Sequence, residues 1–398
     1  MRVFAATEGQ ICWLPGVHIE DIPEGLPASV SFSTRSGIVG VKFDGVVGSV
    51  GLRSGDVIQV SPKIGEVNFL KLVAFTSGGD SLIEKISQST KYSFEEGQQL
   101  ASLVAEDFLV CAQRAIRSGL QHTRHWQNHS GREVRGRIDL VLTEQRIALA
   151  HEKPVVSKVR MRTFDNSENR LTAAALMVAE SLLPENRRND ILWLRRRWPC
   201  ASPSIEQIIE DLNSVERGML QNEYRGVRDY YKELMGLSLV VLSIGGLGHG
   251  SDQFLGGRTF LVNTASVFEM FILRAVQSSL SGREAVVTKG GTEFRFLYLN
   301  GAFQMEPDVV IEKFGKCVGI IDAKYKFPTS GDHYQMLSYI ENFGVNAGAF
   351  FRPTFSNEKT GSERLKSVSG KEVVVMRLDL TNLDGALDDI RKYVLSIV

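Results

Sequence analysis

Long apolar runs are missing from this chain. No stretch of about 18 uncharged apolar residues occurs, so the sequence offers no transmembrane helix. Met1 to Gln10 carry neither the basic flank nor the apolar stretch of a secretory signal, and the expectation is a cytoplasmic protein without membrane contact. Cysteine is scarce. Cys12, Cys111, Cys200 and Cys317 stand far apart without metal-ligand spacing, which points to buried free thiols and away from disulfides or a zinc centre. Excess charge of either sign is absent too: Lys plus Arg and Asp plus Glu number 46 each, so any affinity for nucleic acid must come from local patches or from a partner. No Gly-x-x-x-x-Gly-Lys-Ser/Thr loop occurs, which removes the commonest phosphate-binding device of nucleotide motors.

What is present suits an ordinary globular protein, with 43% apolar and 23% charged residues. At 398 residues it exceeds what one hydrophobic core usually organises, and two or three domains are expected. Residues 1–90 form the β-rich part, with alternation at Val39, Val41 and Phe43, a Gly55-Asp56 turn before Val57 to Val60, and a helix near Val67 to Phe75. Residues 91–245 read as a mainly helical middle domain. It opens at a Ser93/Glu96 capping box, continues with Leu100, Leu103, Val104, Phe108, Cys111 and Ala115 on one helical face, and is broken at Pro184 and Pro199. Gly245 to Gly257 read as a linker. Residues 258–398 mix both periods. A helix is expected from Thr264 to Leu280, strands at Glu284 to Val287, Phe294 to Leu299, Pro307 to Ile311 and Val318 to Lys324, a helix near Asp332, strands at Ala347 to Phe351 and Val373 to Leu378, and a terminal helix. The fold class is α+β.

Chemistry concentrates in this last part. Pro307-Asp308 opens one strand, and Ile320-Ile321-Asp322-Ala323-Lys324 ends another. A hairpin folded about Gly315 sets Asp308 opposite Asp322. Side-chain alternation then points Asp322 and Lys324 to one face and Ala323 into the body. Adjacent carboxylates repel each other, and a hard divalent cation such as Mg2+ relieves that repulsion with oxygen ligands. A lysine beside them can orient a water or stabilise charge growing on a phosphate, which is the chemistry of phosphodiester hydrolysis. The plain alternative is a turn aspartate, a strand-end acid and a surface lysine in an ordinary ion pair. Gln335 and Tyr339 share a helix face near the place a substrate backbone would take. Glu269, inside the apolar run Val267 to Phe271, is either a solvated-face residue or a third support for the metal.

Pro307-Asp308, Asp322-Ala323-Lys324-Tyr325-Lys326 and Tyr334-Gln335-Met336-Leu337 resemble the McrC family, the nuclease subunit of McrBC-type restriction systems, within the PD-(D/E)XK nuclease superfamily. Arg135-Gly136-Arg137-Ile138-Asp139, and Phe164-Asp165-Asn166-Ser167-Glu168-Asn169-Arg170-Leu171 after it, resemble the motif pair that precedes the nuclease domain there. The resemblance implies a restriction-endonuclease-like C-terminal domain. It also implies Asp308, Asp322, Lys324 and Gln335 as catalytic residues, and Mg2+, with Mn2+ as a substitute, held by Asp308, Asp322, Glu269 and the Ala323 carbonyl. Tyr339 and Lys326 would touch DNA. By the same implication the motor is a separate AAA+ GTPase of the McrB type, which docks on residues before about 90, and the substrate is double-stranded DNA bearing methyl or other modifications. Two nuclease copies would make a double-strand break. Arg137, Asp165, Asn169 and Arg170 read better as a hydrogen-bonded scaffold than as reacting groups.

Other signals are weaker. His122, His125 and His129 would line up only on a helix, and Trp126, Asn128, Ser130 and Gly131 speak for a surface loop. Arg187, Arg188, Arg195, Arg196 and Arg197, interleaved with Trp193 and Trp198, either track a DNA backbone or form a solvated face. Two further functions compete with the leading one: a RecB-type exonuclease without a motor ring, and a non-catalytic adaptor that regulates an NTPase. The intact Asp308, Asp322 and Lys324 set speaks against the adaptor.

Overall fold

Alternation at Val39, Val41 and Phe43 folds as a strand with all three side chains buried. The computed structural model describes residues 2–26, 28–33, 38–76, 98–149, 155–183, 185–201, 203–220, 224, 229–244, 260–293, 295–355 and 358–398. They form a mixed α and β protein, as the sequence predicts, in two units: Met1–Val104 with Leu239–Val398, and Ala105–Ser238. The Ser93/Glu96 capping box and the Gly245 to Gly257 linker lie outside the described residues.

The first unit begins with β1 (Val3–Thr7), β2 (Ile11–Leu14), β3 (Ala28–Ser33), β4 (Ile38–Phe43), β5 (Val46–Gly51) and β6 (Val57–Ser61), followed by α1 (Glu66–Thr76). One sheet runs β2-β4-β3 and another contains β1-β6-β5. Leu14, Val41, Phe43, Val50 and Ile58 are fully buried in their shared core. Each such side chain contributes roughly 1.5–3 kcal/mol of burial free energy.

The second unit takes α2 (Gln98–Ser118) from Ala105 onward, with Phe108, Cys111 and Ala115 buried on the expected face. It continues with β7 (Thr123–Gly131), β8 (Arg137–Ile138), α3 (Leu140–Leu149), β9 (Val155–Thr163), α4 (Ser167–Leu182), α5 (Arg188–Arg197), α6 (Ile205–Leu220) and the part of α7 (Asp229–Ile244) up to Ser238. The sheet β7-β9-β8 is a departure from the helical expectation. Its strand β7 is almost wholly exposed, so it lacks the one-sided apolar alternation by which a strand announces itself. His122, His125 and His129 fall on or beside this strand, where His122 takes up Arg162, and no helical histidine face exists. Arg187 and Arg188 are engaged with Asp190 and Glu180.

The scaffold reading of the upstream motifs fits this unit. Arg170 grips the buried Asp211 with two hydrogen bonds of 2.8 and 2.7 Å and also reaches Asp165 at 2.8 Å. Asn169 donates to Gln121 O and Phe164 O and accepts from the Tyr231 hydroxyl. Arg137 stands apart, exposed on β8. Truncating Arg170 to Ala would strand a carboxylate whose side chain is 2% exposed. The expected loss is about 3–5 kcal/mol in chemical denaturation; a loss below about 1 kcal/mol would mean that Asp211 needs no partner.

Back in the first unit, β10 (Phe260–Asn263) pairs antiparallel with β5, joining the N-terminal sheet. Next comes α8 (Thr264–Ser279), capped by the Asn263 side chain on Ser266 N. The rest is β11 (Ala285–Thr288), β12 (Arg295–Phe296), β13 (Gln304–Met305), β14 (Val309–Lys313), β15 (Lys316–Ala323), α9 (Ser330–Asn342), β16 (Ala347–Pro353), β17 (Gly361–Lys366), β18 (Glu372–Leu378) and α10 (Leu383–Ile397). A six-stranded sheet runs β11-β14-β15-β16-β18-β17. Among the described residues of the strand expected at Phe294 to Leu299, Arg295 and Phe296 form the strand β12, and β17 has no counterpart in the sequence reading because all six of its residues are exposed. Met336, Tyr339 and Ile340 of α9, with Phe343 just after it, pack on Val310, Ile320, Phe350 and Val375.

Near the end of β16, the buried Arg352 clamps Glu358 through two bonds of 2.7 and 2.9 Å. That guanidinium holds the Glu358 carboxyl down at about 2. A carboxylate whose folded value lies below its unfolded one stabilises the fold above the unfolded value, and the contribution is lost as pH falls through the folded one. Glu358→Gln should therefore be less stable than wild type near neutrality, with the gap closing between about pH 4 and about pH 2. A gap that stays constant across that acid range would exclude the ion pair as its source.

Candidate active site

The site is built by a tight hairpin. β14 and β15 are joined through Phe314 and Gly315, both at positive φ (52° and 72°), as a two-residue turn that follows the strand twist requires. Val309 pairs with Ile321 and Val310 with Ile320, and the register shifts between Ile311 and Glu312. Carried one residue further, this register sets Asp308 across from Asp322, as the sequence predicts. The count differs: the turn centre lies between Phe314 and Gly315, and the irregularity in the ladder restores the alignment that a fold about Gly315 would have given.

Asp308 Oδ2 accepts the Ala323 N–H at 2.8 Å, locking the two strand ends together. Lys324 lies on the Asp322 side, its Nζ 2.6 Å from Asp322 Oδ2 and 3.4 Å from Asp332 Oδ1. Asp332 belongs to the capping box of α9, in which its carboxylate takes the Thr329 N–H at 2.7 Å and the Thr329 hydroxyl at 2.6 Å. On the other flank, Lys289 Nζ is 3.2 Å from Glu269 Oε2 and 3.9 Å from Asp308 Oδ1. The expected acids are thus gathered with two ammonium groups around them.

Burial, and then the neighbouring Asp322 and Glu269 charges, push the Asp308 carboxyl up to about 7 against the opposing pull of the Ala323 N–H and Lys289. Burial alone would lower Lys324, yet the Asp322, Asp332 and Asp308 carboxylates hold it above the ordinary lysine value. Burial also raises Asp332, but the Thr329 bonds, Lys324 and Lys326 outweigh it and bring the carboxyl down to about 2.

This donor set fits a hard divalent cation. Asp322 Oδ2 is shut off from solvent and, apart from the Lys324 ammonium, has no well-directed hydrogen bond. Asp308 Oδ1 has the Lys289 ammonium 3.9 Å away. Among the described residues no three His, Cys, Asp or Glu side chains form a finished cage. Mg2+ commonly needs none, since it binds through one or two carboxylates and keeps several waters or substrate oxygens. Asp308 and Asp322, with the Ala323 carbonyl on the same strand end, are the residues that would hold it.

Other expected site residues are placed less uniformly. Gln335 is exposed and donates to the Tyr339 hydroxyl at 2.9 Å. The Tyr339 ring is in the core, its phenol raised to about 12 by burial and by Asp322 and Asp308. Lys326 is exposed and pairs with Asp332 at 3.5 Å. Arg195, Arg196 and Arg197 belong to the second unit, where Arg195 pairs with Glu180 and Arg197 stacks on Trp193 at 4.4 Å. Trp198 is buried and donates to Asn169 O, which removes it as a stacking platform for bases. All four cysteines are free, though only Cys111 is fully buried.

Two residues of the cluster escaped the sequence reading. Asp332 had a signal: Thr329-x-x-Asp332 is a capping-box pattern that fixes an acid at the mouth of α9. Lys289 had none, because its approach to Asp308 depends on the pairing of Thr288 with Val310 between strands distant in sequence.

The profile of the McrBC 5-methylcytosine restriction system component family matches residues 41–351. Among solved structures, the chain is similar to one from a refined half-complex of a tetradecameric assembly of Thermococcus gammatolerans McrB AAA+ hexamers with bound McrC. That likeness has a TM-score of 0.54 at 13% identity and covers 100% of both chains. It is also similar to a chain of the Thermococcus gammatolerans McrBC complex seen by cryo-EM, with a TM-score of 0.40 at 13% identity over 70% of this chain and 88% of that one. No curated protein matches the chain.

Proposed function

Because this chain belongs to the McrBC 5-methylcytosine restriction system component family, as the match over residues 41–351 shows, we propose that it is the nuclease subunit of such a system, hydrolysing DNA phosphodiester bonds with Mg2+. The observation that carries this reading is the convergence of Asp308, Asp322 and Lys324 at one end of a six-stranded sheet. A scaffold-only pair of Asp322 with Lys324 would not need a second acid, Asp308, fixed at the same strand end by the Ala323 N–H. The arrangement supports a PD-(D/E)XK type of site.

A bound Mg2+ would neutralise charge on the phosphoryl oxygens under attack. Asp308 and Asp322 would hold it, and the Asp308 bond to Ala323 N–H keeps the two acids at a fixed spacing. Lys324, steadied from both sides by Asp322 and Asp332, keeps an ammonium ready for the charge that grows on the scissile phosphate. Gln335, exposed midway along α9, is available to the DNA backbone. One such site cuts one strand, so a double-strand break takes two copies.

The partner in this proposal is an AAA+ motor of the McrB type, and the substrate is DNA carrying 5-methylcytosine. The absence of a Gly-x-x-x-x-Gly-Lys-Ser/Thr loop supports that division of labour. No helix among the described residues is long and apolar enough to cross a membrane. Mixing the purified chain with its motor, nucleotide and Mg2+ should cut methylated plasmid, leave unmethylated plasmid intact and raise nucleotide hydrolysis by the motor. Stimulated hydrolysis without any cutting would favour the regulatory-adaptor reading instead.

A further inference from the structure

The acids at the sheet end already face a cation on the side away from Lys324. Lys289 donates a 3.2 Å hydrogen bond to Glu269 Oε2 and stands 3.9 Å from Asp308 Oδ1. It directly follows the last residue of β11, which pairs with β14, the strand that Asp308 precedes. The chain turns away at once through Gly290 and Gly291, at φ 74° and 94°, with Gly290 N donating to Pro307 O at 2.9 Å. Gln277 of α8 donates to Val287 O at 3.2 Å and so ties β11 to the helix that carries Glu269. The lysine and both its acids are therefore mounted on mutually braced elements. Its side chain is nevertheless 55% exposed, so the ammonium can swing to solvent about its flexible stem without breaking the core.

We propose that Lys289 is a built-in counter-ion: it occupies the flank of the carboxylate cluster in the metal-free protein and competes with the divalent cation for Asp308 and Glu269. This rests on Asp308 and Asp322 being metal ligands. Lys324 is differently placed, since Asp332 anchors it 3.4 Å away on the far side, whereas Lys289 has only the cluster's own acids as partners among the pairs above. A monovalent ammonium and a divalent cation cannot both sit close to Asp308 without repelling each other. The lysine thus trades metal affinity for stability of the metal-free site.

Calorimetric titration of Mn2+ into the full chain tests this with wild type, Lys289→Met and Lys289→Gln at about pH 8, where exposed carboxylates and lysines are charged. Both variants should bind Mn2+ roughly tenfold more tightly, a modest figure because the lysine is half exposed and screened. Without metal they should melt below wild type, and they should gain more from Mn2+. Equal or weaker affinity in the variants, with wild type binding, would overturn the counter-ion role alone. A wild type that binds no Mn2+ would remove the metal-site reading and this inference with it. In the wild-type protein, saturating Mg2+ should move the Lys289 ammonium resonance toward that of a solvated lysine, and a resonance that does not move would equally refute the competition.

Discussion

Asp322→Ala is expected to reduce DNA cleavage roughly a thousand-fold or more, since a catalytic metal supplies several kcal/mol and each ~1.4 kcal/mol is a factor of ten. The change removes the acid whose Oδ2 is shut off from solvent and meets only the Lys324 ammonium. Lys324 retains Asp332 as a counter-charge, so the fold should persist. Asp322→Asn keeps the side-chain volume and should be as inactive, which separates loss of a ligand from loss of packing. Plasmid nicking by the reconstituted complex, with circular dichroism of each variant, gives the answer. Near-normal Mg2+-dependent cutting by a folded Asp322→Ala protein would remove this residue from the chemistry.

Lys324→Ala should act on rate and spare metal binding. Losing one preorganised electrostatic group typically costs on the order of 100- to 1000-fold in rate. Asp308 and Asp322 both remain, and the Asp308 bond to Ala323 N–H does not involve the lysine, so the cation keeps its ligands. Lys324→Arg should not rescue fully. The ammonium fits between two carboxylates at 2.6 and 3.4 Å, and a planar guanidinium spreads the same charge over a larger fork. Cleavage rates beside Mn2+ titrations separate these effects. Unchanged cleavage would reduce Lys324 to a structural cation, and lost Mn2+ binding would make it a support of the ligand set instead.

How much of this was legible in the sequence depends on where each residue's partners lie. The Asp308 to Asp322 alignment could be read because a hairpin is local, and two strands joined by a short turn constrain each other's register. The same holds for the helix that begins beside Asp332, announced by its own capping residues. The ribbon of β7 and β9 could not be read. β7 is exposed on both faces and β9 buries the adjacent Val156 and Ser157, so neither strand leaves an alternating trace, and residues such as Arg124, Trp126, Arg160 and Arg162 look like loop or charged-helix material. Lys289 illustrates a second limit, for its role arises only when β11 docks on β14 across intervening chain. Trp198 shows a third: an aromatic flanked by arginines suggests base stacking, yet its indole closes over Asn169 O in the interior.

The central claim is that Asp308 and Asp322 form a metal centre. Anomalous diffraction from crystals soaked in Mn2+ tests it most directly. The account predicts a strong anomalous peak within coordination distance, about 2.0–2.2 Å, of a carboxylate oxygen from each acid. The Ala323 carbonyl should lie alongside and the Lys324 ammonium should remain next to Asp322. Full Mn2+ occupancy elsewhere in the crystal, with nothing between Asp308 and Asp322, would contradict it.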